Sequence, residues 1–111
     1  VVNGEAVRSC ATPIGEVEGK QVLTIEGLAK DGKLHPLQEA FVRHAAFQCG
    51  YCTPGMIMGA YAFLLKNPKA TRAAIIKAMD AHLCRCGAHV RIVEAIETTA
   101  AAKAGAKGGA R

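Results

Sequence analysis

Hydrophobic and polar positions change rhythm once along this chain. Up to Lys30 the apolar residues come in short runs broken by glycines and polar pairs. In VVNGEAV, Asn3-Gly4 separates two short apolar runs, the strongest local signal for a two-residue hairpin. QVLTIEG is another such run, rich in β-branched residues and closed by Gly27, and reads as a strand. Three short strands make a poor fold by themselves, because an isolated hairpin is marginal in water. Residues 1–30 are therefore expected to be the end of a sheet whose beginning lies outside this sequence. The start at Val1 rather than Met points the same way, to processing or truncation.

From Leu34 the spacing turns helical. Pro36 suits a first helical position, and Leu37, Ala40, Phe41, His44 and Ala45 follow at i, i+3, i+4, i+7 and i+8, with Gln38, Glu39 and Arg43 opposite. A second helix is expected from an N-cap at Thr53, with Pro54 at N1, to just before Asn67-Pro68. Its sequence GMIMGAYAFLL is apolar on nearly every side, as a central helix would be. Thr71 caps a third helix carrying Ile75, Ile76, Met79 and Leu83 on one face. A fourth begins near Val90 with the stripe Ile92, Val93, Ile96 and Ala100. The pattern predicts an α+β chain: residues 1–30 as terminal strands, 31–98 as a four-helix bundle after the KDGK turn, and 99–111 as a low-complexity tail.

The bulk numbers prune the choices. The chain's 111 residues suffice for one modest domain or two very small ones, and half are hydrophobic, so a packed core is within reach. No apolar run approaches about 18 residues, so no membrane-spanning segment is expected, and no secretory signal is seen. The net charge of +5 draws +3 from Lys103, Lys107 and Arg111 in an acid-free tail, leaving +2 for the rest. Both signs are interspersed there and aromatics are scarce, so no nucleic-acid partner is expected.

Five cysteines in so short a chain need a chemical reason. Cys49 and Cys52 form a C-x₂-C pair, and Cys84 and Cys86 a C-x-C pair separated from it by 31 residues; Cys10 stands alone. The two pairs fall in the loops after the first and third predicted helices. An up-and-down bundle would bring those loops to one end. Four thiolates suit zinc or an iron–sulfur cluster. Zinc knuckles rarely use C-x-C, and the positive ends of the second and fourth helices would face a cluster's negative charge. Spacing thus leans toward a [2Fe-2S] cluster and leaves a structural zinc-binding interaction module as the alternative.

The longer strings are more specific. QCGYCTPGM, LCRCG and RIVEAI, preceded in order by SCATP, VLTIEGL and LHPLQEAF, resemble the small iron–sulfur subunit of molybdenum hydroxylases, the xanthine oxidase and aldehyde oxidoreductase family, over roughly residues 1–97. Where the common version continues with Thr-Gly-Tyr after the C-x-C pair, this chain has CRCGAHVRI, similar to isoquinoline oxidoreductases and bacterial aldehyde dehydrogenases. The resemblance implies that Cys49, Cys52, Cys84 and Cys86 ligate a [2Fe-2S] cluster. It implies that Gln48 and Cys86 approach the pterin of a molybdenum cofactor, in its cytosine dinucleotide form, held by a large partner subunit. Cys10 matches the last ligand of a second [2Fe-2S] cluster, in a β-grasp ferredoxin-like domain whose other cysteines lie before Val1. The implied activity is electron transfer during oxidation of an aldehyde or N-heterocycle, toward a flavin or cytochrome c subunit, in the cytoplasm or in a periplasmic or membrane-associated complex.

Plainer roles compete for the remaining residues. Cys10 could be a small buried hydrophobe, His44 a core or interface histidine, and His35 a cap. His82 and His89 flank the C-x-C pair, but with four cysteines at hand they are not expected to replace a thiolate. Met56, Met58 and Met79 read as packing, and Gly50 and Gly87 as tight turns with no room for a Cβ beside sulfur. Arg85 tunes a cluster or only faces a partner or solvent; the sequence does not separate these.

Overall fold

The computed structural model describes the backbone of residues 1–105 and the side chains of residues 1–102. Its helices are α1 (Pro36–Arg43), α2 (Thr53–Lys66), α3 (Arg72–Met79) and α4 (His89–Gly105). α2 and α4 each touch every other helix, and α1 lies chiefly along α4. The largest fully buried side chains, Phe41, Leu37, Met56, Ile75, Ile92 and Ile96, come from all four helices. Each such burial stabilises by roughly 1.5–3 kcal/mol.

The ends of α1 are written in its local chemistry. Pro36 brings no N–H, and His35 Nδ1 accepts the N–H of Leu37 at 3.0 Å while Gln38 Oε1 accepts that of His35 at 2.9 Å. This is the reciprocal capping box, with histidine in the serine role. At the other end Ala45 sits at φ 50°, Ala46 N–H reaches Phe41 O at 2.9 Å and Ala45 N–H reaches Val42 O at 3.1 Å. That pair of bonds is a Schellman closure with alanine where glycine is usual. It ends the apolar stripe early: Leu37, Ala40 and Phe41 are buried, but His44 is half-buried and Ala45 exposed.

Three further expectations are corrected. Thr53 does not cap α2. Cys52 takes the cap position in near-helical geometry (φ −81°, ψ −11°), Thr53 becomes the first helical residue, and its buried Oγ1 has no hydrogen-bond partner. On α3, Thr71 Oγ1 does cap Ala74 N–H at 3.2 Å, and Ile75 and Met79 are buried. However, Ile76 is half exposed, and Leu83 lies past the helix end at 86% exposure. The expected 98/99 boundary falls inside α4. Thr99 and Ala100 continue the buried stripe of Ile92, Val93 and Ile96, and the alanine-rich stretch behind them has high helix propensity. The rest of the expected tail, 106–111, lies outside the described residues.

The first 30 residues hold less β structure than expected. Asn3 (φ 49°) and Gly4 (φ 83°) form the two-residue turn, and Val2 and Glu5 exchange backbone bonds at 2.8 and 2.9 Å. Val1 pairs with Leu23, and Asn3 with Gln21. Among the described residues these contacts amount to isolated bridges, and the QVLTIEG run ends in a 3₁₀ turn at Ile25–Gly27. Too few partner residues stand opposite to build a ladder. The segment is nevertheless tied down: Leu28 is buried in the helical core, Leu23 and Ile25 pack against it, and Glu5 pairs with Lys66 at the end of α2. The KDGK turn forms as expected, with Asp31 and Gly32 at φ 55° and 75° and Lys30 and Lys33 bonded to each other at 2.9 Å. Among the described residues no helix is long and apolar enough to cross a membrane.

Candidate metal centre

The loop after α1 and the loop before α4 meet at one end of the bundle. The Schellman turn swings the chain out of α1 toward Cys49, and Cys52 opens α2. On the other side Cys84 and Cys86 lead into α4. Cys49 lies close enough to Cys86, and Cys52 to Cys84, for each to shift the other's ionisation. Among the described residues no three His, Cys, Asp or Glu side chains converge tightly enough to enclose a single ion. Four thiols meeting as two pairs suit a two-iron cluster, whose ligands divide between two metals.

Backbone donors already point at sulfur. Tyr51 N–H lies 3.4 Å from Cys49 Sγ, and Ala88 N–H, at the start of α4, lies 3.5 Å from Cys84 Sγ. These bonds lead the causes that hold the Cys49 and Cys84 thiols below the ordinary range, followed by the Cys86 and Cys52 side chains respectively. Burial pushes Cys52 the other way, up to about 11, with Cys84 adding to the effect. A metal binding there must displace the Cys52 proton. Gly50 and Gly87 sit at φ 83° and 76°, yet a Cβ at either would meet nothing within 4 Å. The left-handed backbone, not crowding beside sulfur, is what calls for glycine.

A cleft of about 480 Å³ opens over this group, lined by Cys49, Cys52 and Cys84 together with Arg8, His82 and Arg85. Among the described residues no carboxylate lines it, so the donor set and the nearby charges both fit an anionic thiolate-bound cluster. Gln48 is exposed beside Cys49. Tyr51 (93% exposed) and Leu83 (86%) stand at the rim, apolar surface that nothing in this chain covers among its described residues. Cys10 is not part of the four-thiol group. It is exposed and lines a second cleft of about 410 Å³ with Val7, Ser9, Met58 and His82.

The histidines find other work. His35 caps α1 and meets the Tyr61 ring edge-on at 5.3 Å, and His44 Nε2 lies 3.2 Å from Thr98 Oγ1. His89 Nε2 lies 3.3 Å from the carbonyl of His82. His82 packs on Gly59 of α2; burial first, and the Arg8 guanidinium second, hold its imidazole below the ordinary range. Sequence reading missed Arg8 and His82 as walls of the site. The available signal was a glycine in the middle of a helix that otherwise has no use for one. Met56 and Met79 are buried in the core and Met58 packs against it, as expected.

The chain is similar to known proteins in sequence and in fold. A family model described as "[2Fe-2S] binding domain" matches residues 24–97. The chain is 50% identical to the isoquinoline 1-oxidoreductase subunit alpha of Brevundimonas diminuta, covering 89% of this chain and 64% of that one. It is 47% identical to the nicotine 6-hydroxylase small subunit of Paenarthrobacter nicotinovorans, covering 86% and 58%. The chain thus spans about six tenths of the length of these curated relatives. Among solved structures it superposes on quinoline 2-oxidoreductase from Pseudomonas putida 86 with a TM-score of 0.88 at 39% identity, covering 99% of this chain and 68% of that one. Aldehyde oxidoreductase from Desulfovibrio gigas gives a TM-score of 0.88 at 36% identity, covering 97% and 12%. Matched by the family model over two thirds of its length, the chain belongs to the [2Fe-2S] binding domain family.

Proposed function

We propose that Cys49, Cys52, Cys84 and Cys86 ligate a [2Fe-2S] cluster. In this reading the chain serves as the electron-transfer subunit of a molybdopterin-dependent hydroxylase acting on an aldehyde or N-heterocycle. The observation that carries the proposal is the meeting of two thiol pairs from separate loops, with Tyr51 and Ala88 N–H groups aimed at two of the sulfurs. When bound, such a cluster takes up and releases one electron at a time. The chain's own residues hold and orient it, tune it through N–H bonds and the Arg8 and Arg85 charges, and exclude water with the apolar start of α2.

Gln48, Cys86 and the exposed Tyr51 and Leu83 would face a large subunit carrying the molybdenum cofactor, in its cytosine dinucleotide form. The apolar rim supports a covering partner at this end. Cys10 would complete a second [2Fe-2S] site with cysteines from chain outside this sequence, making residues 1–30 the end of a ferredoxin domain and α1 to α4 the cluster-binding bundle. A flavin or cytochrome c subunit would be the acceptor. The named relatives, a nicotine hydroxylase subunit and an isoquinoline oxidoreductase subunit, support an N-heterocycle over an aldehyde.

Metal and sulfide analysis of the purified protein tests this. The expected result is a red-brown protein with iron and acid-labile sulfide in equal amounts at the bundle site, co-purifying with a large molybdenum-containing chain. A colourless protein holding one zinc and no labile sulfide would overturn the reading in favour of a structural zinc module.

A further inference from the structure

Gly59 occupies the middle of α2, where glycine is less favourable than alanine. No positive φ explains it; what explains it is His82. A Cβ built on Gly59 would lie 2.6 Å from both Cε1 and Nε2 of the His82 ring, closer than real Cβ atoms approach anything. Gly59 is thus the socket that lets the imidazole lie flush on α2. The ring's backbone is fixed from several sides: His82 N–H bonds to Met79 O at 3.0 Å, its carbonyl meets His89 Nε2 at 3.3 Å, and Arg8 Nη2 bonds to the neighbouring Ala81 carbonyl at 3.4 Å.

The place of this ring in the molecule gives the contact its meaning. His82 lines the cleft over Cys49, Cys52 and Cys84, and it also lines the cleft that holds Cys10. Arg8 and Gly55 are shared in the same way, so these three residues form the wall between the two cysteine-bearing clefts. The wall joins three separate parts of the chain: the Cys10 segment, α2 with Cys52 at its head, and the loop that carries Cys84.

We propose that the His82 ring, seated on Gly59, is a positioning residue: it fixes the wall between the four-thiol site and the Cys10 cleft, keeps water out of the four-thiol site on that side, and so sets the reduction potential of the cluster bound there. The inference rests on the ligand set proposed above. Its physical basis is simple. Reduction adds a negative charge to an already anionic cluster, and a drier, less polar surround disfavours that extra charge.

The test is a double-substitution cycle in the full-length chain purified with its native partner, read by EPR-monitored redox titration and by iron and sulfide content. H82A opens the wall to water and is expected to raise the cluster's potential while leaving iron and sulfide content unchanged. G59A pushes the ring out of its socket and is expected to alter the EPR signature and potential, or to lower cluster content. In G59A/H82A the added Cβ meets no ring, so the double variant is expected to match H82A and to recover the cluster content that G59A lost. A potential in H82A that stays unchanged or falls would overturn the inference. So would additive effects of the two substitutions, or failure of G59A/H82A to recover what G59A lost. The underlying ligand assignment fails differently, by absence of iron and labile sulfide from the unsubstituted protein.

Discussion

Residues 1–30 and residues 36–105 use their apolar side chains in different ways. In the helical region every element turns a stripe inward, and the buried set runs through α1, α2, α3 and α4 without a gap. In the first segment only Leu28 is fully buried, while Val7, Ile14 and Val22 are 45%, 87% and 54% exposed. The helices satisfy their own backbone groups; the first segment relies on isolated bridges and short turns. The four-thiol site belongs to the region that holds itself together, and Cys10 belongs to the region that leans on it. A cluster built from the bundle loops should therefore be insensitive to the first segment's own cysteine.

The sharpest way to break that contrast is to remove one sulfur from each region. C52S takes away a half-buried thiol at the head of α2, and, with the proposed ligand set, loss of the bundle cluster's visible absorption and EPR signal is expected, along with a lower unfolding midpoint. C10S should leave that same signal in place. Equal loss in both variants would mean that the two regions share one site. The next largest effect concerns packing. Ile96, fully buried on α4, should cost about 2–5 kcal/mol as I96A in denaturant unfolding. Ile14→Ala, at a side chain 87% exposed, should stay within about 0.5 kcal/mol.

The same contrast explains what could be read from sequence. Periodicity placed Leu37, Phe41, Ile75, Ile92 and Ile96 correctly because each helix finds its partners within this chain. The Asn3-Gly4 turn, the Asn67 stop and the Thr71 cap were legible because they are settled by their own few residues. The strands were not, because a strand needs a neighbour, and composition does not reveal how many residues stand opposite. Thr53 looked like a cap, but it is the first helical residue and the cap falls one residue earlier, on Cys52, whose near-helical backbone no propensity rule announces. The spacing of the paired cysteines pointed to a metal site, and the structure brings their loops to one end of the bundle. The wall beside them was hidden, since Arg8, Gly59 and His82 lie far apart in sequence and meet only when the bundle closes.

Capping gives effects of intermediate size and sharpens the contrast at single hydrogen bonds. T71A removes the acceptor for Ala74 N–H and should cost about 1 kcal/mol. H35A should cost at least as much, since it removes the Leu37 cap and the Tyr61 ring contact together.

The smallest expected effect probes the tie between the regions. Lys66, in the last turn of α2, pairs with Glu5 beside the Asn3-Gly4 turn, and both side chains are more than half exposed. Such a pair contributes about 0–1 kcal/mol, with solvent screening most of the attraction. E5A deletes the tie but leaves Lys66 to offset the negative end of the α2 dipole, whereas K66A deletes both. Bundle unfolding should therefore move slightly in K66A and scarcely at all in E5A. Hydrogen exchange at the Val2 and Glu5 amides, which bond only to each other's carbonyls across the turn, should accelerate to the same extent in both. Equal and larger losses of bundle stability would show that the first segment braces the helices, and the division of labour between the two regions would have to be redrawn.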